Sequence, residues 1–422
     1  MASIGTIQTT VSSTVAQSTT SYAEVVESSA LTSGVTYYVI CHALCRSSLT
    51  HQTASFRLVD RTNSDAVLSN SEMIREPNSA TSTQSYYFLG KFTAGSDGGG
   101  LAFEQKSGNA GWDVATEYLS MMLLDLSELE TGDFFFANDT REVNLTDTYV
   151  DFATASPTVT DGDEWLVLGW QATDTNMVNA SSTLVQLDND GLAESSLPIS
   201  MMEGEDATEV LNVLLGRTFT VGGGGNFDFA IKSKHTGVPA TPNKHLESTL
   251  LGIRLDAFVG FSTFWNKTES TTTSTGFNEY GTLAFNPSAT GEAVVFGSSL
   301  FTPLSVATGA YAKVTVDGTT SPNAVPDTKE QCRSNDATDI LPMSYITKYT
   351  LDGSSKTIDY DCKKDTIADI GFGKRSLVAF TAEIAETGSS VFTAVASQTY
   401  NSGDVAGQTY SSGDVASEVQ PT

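Results

Sequence analysis

The chain has 422 residues, 39% of them hydrophobic and 17% charged, and its 22 basic against 50 acidic side chains leave a formal charge of −28. That length exceeds one ordinary core and points to several domains. The negative field repels phosphate backbones and anionic headgroups, which argues against nucleic-acid binding, and the most apolar run, residues 119–124, is too short to span a bilayer.

The first residues have neither a basic segment nor an apolar one, so no secretory signal is read and synthesis in a cytoplasm is expected. Residues 1–22 are rich in Ser and Thr and predict either an extended arm or a first edge strand. A stretch from Gly34 to Asp60 follows and recurs from Gly162 to Asp188 and from Gly291 to Asp317, each time with a spacing of 26. The copies lie 128 and 129 residues apart, the size of a whole domain. Within the first copy, Tyr37, Val39, Cys41 and Ala43 alternate with Tyr38, Ile40, His42 and Leu44. Both faces carry bulk, which predicts a central strand covered on both sides. Cys41 and Cys45 share one face of it about 13 Å apart, beyond disulfide reach, and read as core thiols.

The second half of each copy also repeats. Residues 88–93 match 214–219 and, less closely, 345–350; a glycine-containing turn follows at 98–100, 222–225 and 352–354; then come strands at 101–107, 227–233 and 358–363. Strand, glycine turn and strand predict a β-hairpin in each copy. Apolar strands near 118–126, 250–255 and 377–382 close the units. Residues 115–129 are the most helix-tolerant window, but their counterparts are β-branched or contain Gly, so they too are assigned to strand.

These elements predict an all-β chain of three tandem β-sandwich domains of jelly-roll-like topology with extended N- and C-terminal arms. The expected limits are 1–22 for the arm or edge strand, 23–131, 132–265 and 276–388 for the sandwiches, and 389–422 for a low-complexity tail. The Ser/Thr-rich residues 266–275 read as a linker. The tail repeats a ten-residue unit, Gln398 to Gly407 and Gln408 to Ser417, which cannot bury a core alone and suits mobility or strand addition to a neighbour.

No catalytic, cofactor-binding or metal-binding residue is assigned. There is no GxSxG elbow, and Gly222 to Gly225 opens onto a strand, not a helix, so it is no phosphate loop. His42, His51, His235 and His245 form no HExxH, and the last two sit beside lysines in what reads as a solvated loop. The sequence around Asp188-Asn189-Asp190-Gly191 lacks the spacing of a calcium loop. Cys332 and Cys362 belong to one copy, where pairing is open and reduced thiols are expected in a cytoplasmic product. Of four tryptophans, Trp165 and Trp170 read as core, whereas Trp112 and Trp265 fall in segments read as loops and are the candidates for stacking on a glycan.

The strand triplet at residues 86–92, 101–106 and 118–126 resembles repeats in virion structural proteins of tailed bacteriophages, in particular aquatic ones, whose tandem β-sandwiches build fibres, collars and capsid decorations. The resemblance spans roughly residues 20–385. It implies a non-enzymatic virion component that forms homo-oligomers, contacts other virion proteins and leaves the host by lysis, and it carries over no functional residue. The alternative is a carbohydrate-binding adhesin or receptor-binding fibre recognising host-surface glycans.

Overall fold

The computed structural model describes residues 2–47, 53–75, 83–175, 182–189, 199–203, 209–223, 225–236, 243–287, 290–303, 308–320, 332–333, 340–365 and 369–385. Regular structure among them is strand throughout, apart from one 3-10 turn at Leu255–Ala257. No helix among them is long and apolar enough to cross a membrane. The decapeptide tail lies outside the described residues.

The first eight principal strands are β1 (Gly5–Val11), β2 (Ala23–Glu27), β3 (Thr36–Ser47), β4 (Ala54–Asp60), β5 (Met73–Arg75), β6 (Gln84–Thr93), β7 (Leu101–Ser107) and β8 (Val114–Asp125). Their antiparallel partners are β1 with β8, β2 with β7, β3 with β6 and β4 with β5. This is a long hairpin, and it is rolled up because β8 also pairs with β3 and β7 with β4. Two facing sheets result, β1-β8-β3-β6 and β2-β7-β4-β5, which is the jelly-roll order.

The second set repeats it: β9 (Phe134–Asp139), β10 (Val150–Ala155), β11 (Glu164–Thr175), β12 (Ser182–Asn189), β13 (Ile199–Glu203), β14 (Glu209–Thr220), β15 (Phe229–Thr236) and β16 (Lys244–Arg254). So does the third: β17 (Phe261–Asn266), β18 (Asn278–Phe285), β19 (Thr290–Pro303), β20 (Gly309–Val316), β21 (Cys332–Arg333), β22 (Leu341–Asp352), β23 (Lys356–Lys364) and β24 (Ile370–Thr381). Their sheets are β9-β16-β11-β14 with β10-β15-β12-β13, and β17-β24-β19-β22 with β18-β23-β20-β21; β14 also pairs with β5 at Val210 opposite Ile74, so β9-β16-β11-β14 runs on into β5-β4-β7-β2 as one continuous sheet.

Several expectations change. β6 and β7 are not a hairpin: β6 pairs with β3, whereas β7 pairs with β2 and β4 in the opposite sheet, and the same holds for β14 and β15 and for β22 and β23. The glycine turn carries the chain across the sandwich, helped by positive φ at Gly98, Gly99, Gly223 and Gly353. The Ser/Thr-rich stretch read as a linker supplies a short strand, Ser270–Thr272, paired to β24. At the N-terminus β1 takes the edge-strand alternative, while Val114–Asp125 is strand as expected.

Two sequence matches also prove to be out of phase. Asp60 opposes Leu101 on the inner face of the first roll, but in the second roll it is Asn189, opposite Phe229, that faces inward, and Asp188 turns out to pair with Lys232. Likewise Gly90 opposes Val39 on the inner face, while Gly216 opposes Leu168 on the outer one.

Strand β3 is buried almost from end to end, as bulk on both faces predicts. The reason is tertiary. Trp165, Val167, Val185, Leu187, Phe229 and Ile231 fill the second sandwich, and Val295, Val314, Tyr360 and Leu377 the third. The alternate residues of the same central strands, Tyr38 and Ile40, Leu166, Leu168 and Trp170, Val294 and Phe296, enter one cluster shared by all three rolls. The three sheets that contain β3, β11 and β19 thus bury both faces, and burial of each large side chain stabilises by about 1.5–3 kcal/mol. Close approach is needed there: a Cβ on Gly216 would lie 2.3 Å from the Phe296 ring.

Polar groups knit the same contact. Tyr87 Oη donates to the Pro342 carbonyl at 2.8 Å and accepts from the Ser344 amide at 3.2 Å. Trp170 Nε1 donates to the Tyr87 carbonyl at 2.9 Å, and Ser120 Oγ to the Ile346 carbonyl at 2.8 Å. His42 is also buried here, stacked on Tyr87 at 4.9 Å, and neither ring nitrogen finds a hydrogen-bond partner among the described residues. Burial holds its pKa down at about 3, so the ring is neutral.

Candidate functional site

Where the first roll meets the second, a groove of about 320 Å³ opens between β6, the turn after β4, and strands β9 and β16. Its lining is Leu68, Ser69, Phe88, Gly90, Lys91, Phe136, Asn138 and Glu247. Strand alternation sets the contributions of β6. Lys91 opposes Tyr38 and points to the shared side, whereas Phe88 and Gly90 belong to the inner face. A Cβ on Gly90 would lie 2.6 Å from the Phe88 ring, so glycine is what lets that ring lie along the strand, edge-on to Trp170 at 5.2 Å.

Phe136 is held edge-on by Tyr38 at 5.5 Å, and the Lys91 ammonium sits 4.6 Å from its ring centre. Lys91 is exposed and has no carboxylate partner among the described residues. Glu247 is its opposite in burial, only 5% exposed. A buried carboxylate is costly without donors, and two arrive from the first roll: Ser69 Oγ at 2.9 Å and Asn70 Nδ2 at 2.7 Å. Spare acceptor sites remain on its oxygens. The groove therefore offers one cation, one desolvated acceptor, the Asn138 amide and aromatic walls. It contains a single carboxylate, whereas glycoside hydrolysis by acid and base or nucleophile calls for two.

The residues singled out from sequence lie elsewhere. Trp112 occupies the turn between β7 and β8, half-buried. Trp265 is not in a loop: it lies on β17 opposite Ser376, and the Arg217 guanidinium covers its ring at 4.3 Å. That leaves less of the indole open to a sugar, and burial lowers the Arg217 pKa to about 10. His245, expected in a solvated loop, is buried on β16, stacked on Phe152 at 3.7 Å. Its Nδ1 meets the Arg141 carbonyl and its Nε2 the Ser248 hydroxyl, both at 2.7 Å. Burial lowers its pKa to about 4, so the neutral ring donates from Nδ1 and accepts from Ser248. This Ser–His pair is sealed from solvent and its Nδ1 faces a backbone carbonyl, not a carboxylate, so it serves as packing.

Cys41, Cys45 and Cys362 are free buried thiols, and the side chain of Cys332 lies outside the described residues. Among the described residues no three His, Cys, Asp or Glu side chains gather as a metal site would require. Sequence reading missed Lys91 and Glu247 because they stand on strands far apart in the chain. The only local trace was Lys91 inside the repeated segment that ends β6.

Strand order places the chain in the class of tandem jelly-roll proteins. No family model matches it, and no curated protein matches it. Among solved structures it is similar to a chain from "The Triple Jelly Roll Fold and Turret Assembly in an Archaeal Virus", at 9% identity over 88% of this chain and 83% of that one, with a TM-score of 0.17. It is also similar to PNGF-II, at 9% identity over 82% and 98% with a TM-score of 0.26. A third likeness is to the tandem CBM22 domains of Paenibacillus barcinonensis Xyn10C, at 8% identity over 58% and 93% with a TM-score of 0.17. The fold assignment stands on the strand pairing itself.

Proposed function

We propose that this chain is a non-enzymatic structural component of a phage virion that assembles with copies of itself and with other virion proteins through its termini and sandwich surfaces. The observation that carries the reading is the use of the central strands: three jelly rolls in one chain bury both faces of their β3, β11 and β19 sheets on each other. Such a fused body suits a load-bearing building block, and a collar or capsid-decoration role fits it better than a slender fibre of beads in line. Synthesis in the host cytoplasm and residence in the particle follow from the same reading.

Mass spectrometry of purified phage particles tests it. The chain is expected at a fixed, stoichiometric copy number, with labelled antibody decorating intact particles. Its absence from particles, or turnover of a host-envelope substrate by the purified chain, overturns the reading. The second reading, a glycan-binding adhesin, is favoured by the groove, where a desolvated acceptor and a cation flank aromatic walls.

A further inference from the structure

We infer that the groove between the first and second jelly rolls is a binding site for one neutral pyranose unit of a surface glycan, with Glu247 and Lys91 as its polar anchors. The inference rests on the glycan-binding alternative and supplies the site and the ligand class that it lacks.

The polar groups select a hydroxylated ligand. Glu247 is buried, hydrogen-bonded on its protein side to Ser69 and Asn70, and without a cationic partner among the described residues. Its remaining lone pairs call for donors, and vicinal sugar hydroxyls supply them. Lys91 donates and the Asn138 amide both donates and accepts, so they pair with the same kind of group in the opposite sense. Leu68 and Phe88 offer apolar surface to the C–H face of a ring, and about 320 Å³ suits a single sugar, not an extended chain. Ser69 and Asn70 come from the first roll and Glu247 from the second, so the rolls must stay docked for the site to exist.

Charge argues for a neutral ring. An anionic sugar would meet Lys91 favourably but would sit against Glu247 in a chain whose formal charge is −28. A cationic one would be repelled by the exposed Lys91 ammonium, unpaired except for its contact with Phe136. A neutral pyranose avoids both penalties.

The test uses the full chain, an array of neutral and acidic glycans, and titration of free methyl glycosides followed by saturation-transfer NMR. Lys91→Ala changes an exposed residue, and Glu247→Gln keeps an oxygen for Asn70, so thermal unfolding is expected to show both variants folded. Binding of neutral glycosides should weaken about tenfold or more in each variant, while Trp112→Ala leaves it unchanged. Retained binding in both variants overturns this site but leaves the glycan reading standing. Binding confined to acidic sugars overturns the ligand class. No binding of any glycan or glycoside overturns the site and the glycan reading together.

Discussion

Replacing His42 by phenylalanine should flatten the acid dependence of stability that burial builds into the shared core. The folded ring has its pKa lowered to about 3 by desolvation, against about 6.5 in an unfolded chain. Between those values the unfolded state binds a proton that the folded state refuses, so stability is fully present above pH 6.5 and is lost as the pH falls toward 3. At about 1.4 kcal/mol per unit, the loss from this one residue is about 2 kcal/mol at pH 5 and about 4 kcal/mol at pH 3, where the folded ring is itself half protonated. His245, lowered to about 4, adds a loss of the same sign, as do other groups, so the comparison is between wild type and variant. Phenylalanine keeps the stack on Tyr87 and removes two buried nitrogens that lack partners. The variant is expected to match or exceed wild-type stability at pH 7.5, since leaving such groups unsatisfied costs about 1–3 kcal/mol. Denaturant unfolding followed by tryptophan fluorescence at pH 7.5 and 5.0 reads both quantities. Equal losses in the two proteins would refute the reasoning, and so would an NMR titration of wild-type His42 near its ordinary value, which needs no variant at all.

Two further substitutions probe how the rolls hold together. Tyr87→Phe removes a hydroxyl that donates to the Pro342 carbonyl and accepts from the Ser344 amide, leaving two buried groups of the third roll unsatisfied; a loss of about 1–3 kcal/mol is expected by calorimetry, and an unchanged melting temperature contradicts the contact. Gly216→Ala would place a methyl 2.3 Å from the Phe296 ring, at a cost of about 1–3 kcal/mol. Adding Phe296→Leu to that variant should recover part of the loss in a double-mutant cycle, and strict additivity would show that the two positions do not meet.

The repeat, the strand content and the double-sided bulk of β3 were legible in the residues, because period-2 alternation and glycine turns are local signals. Pairing was not. A strand, a glycine turn and a strand fit a hairpin as well as a crossing between sheets, and only the competition among all eight strands sends β6 to β3 and β7 to β4. Phase was lost for a related reason: a spacing of 26 aligned Asp60 with Asp188, yet a one-residue slip in a strand exchanges its faces, and Asn189 is what turns inward.

By itself, then, the sequence determined that this is an all-β chain of jelly-roll-like sandwich sheets, since alternation, turn chemistry and composition act between near neighbours. Tertiary structure alone decided that the three sheets share a core, that Trp265 and His245 are covered, and that Lys91 and Glu247 face one groove. Those outcomes depend on which apolar face finds which, and burial energy is non-directional, so it leaves no spacing for a reader of the chain to measure.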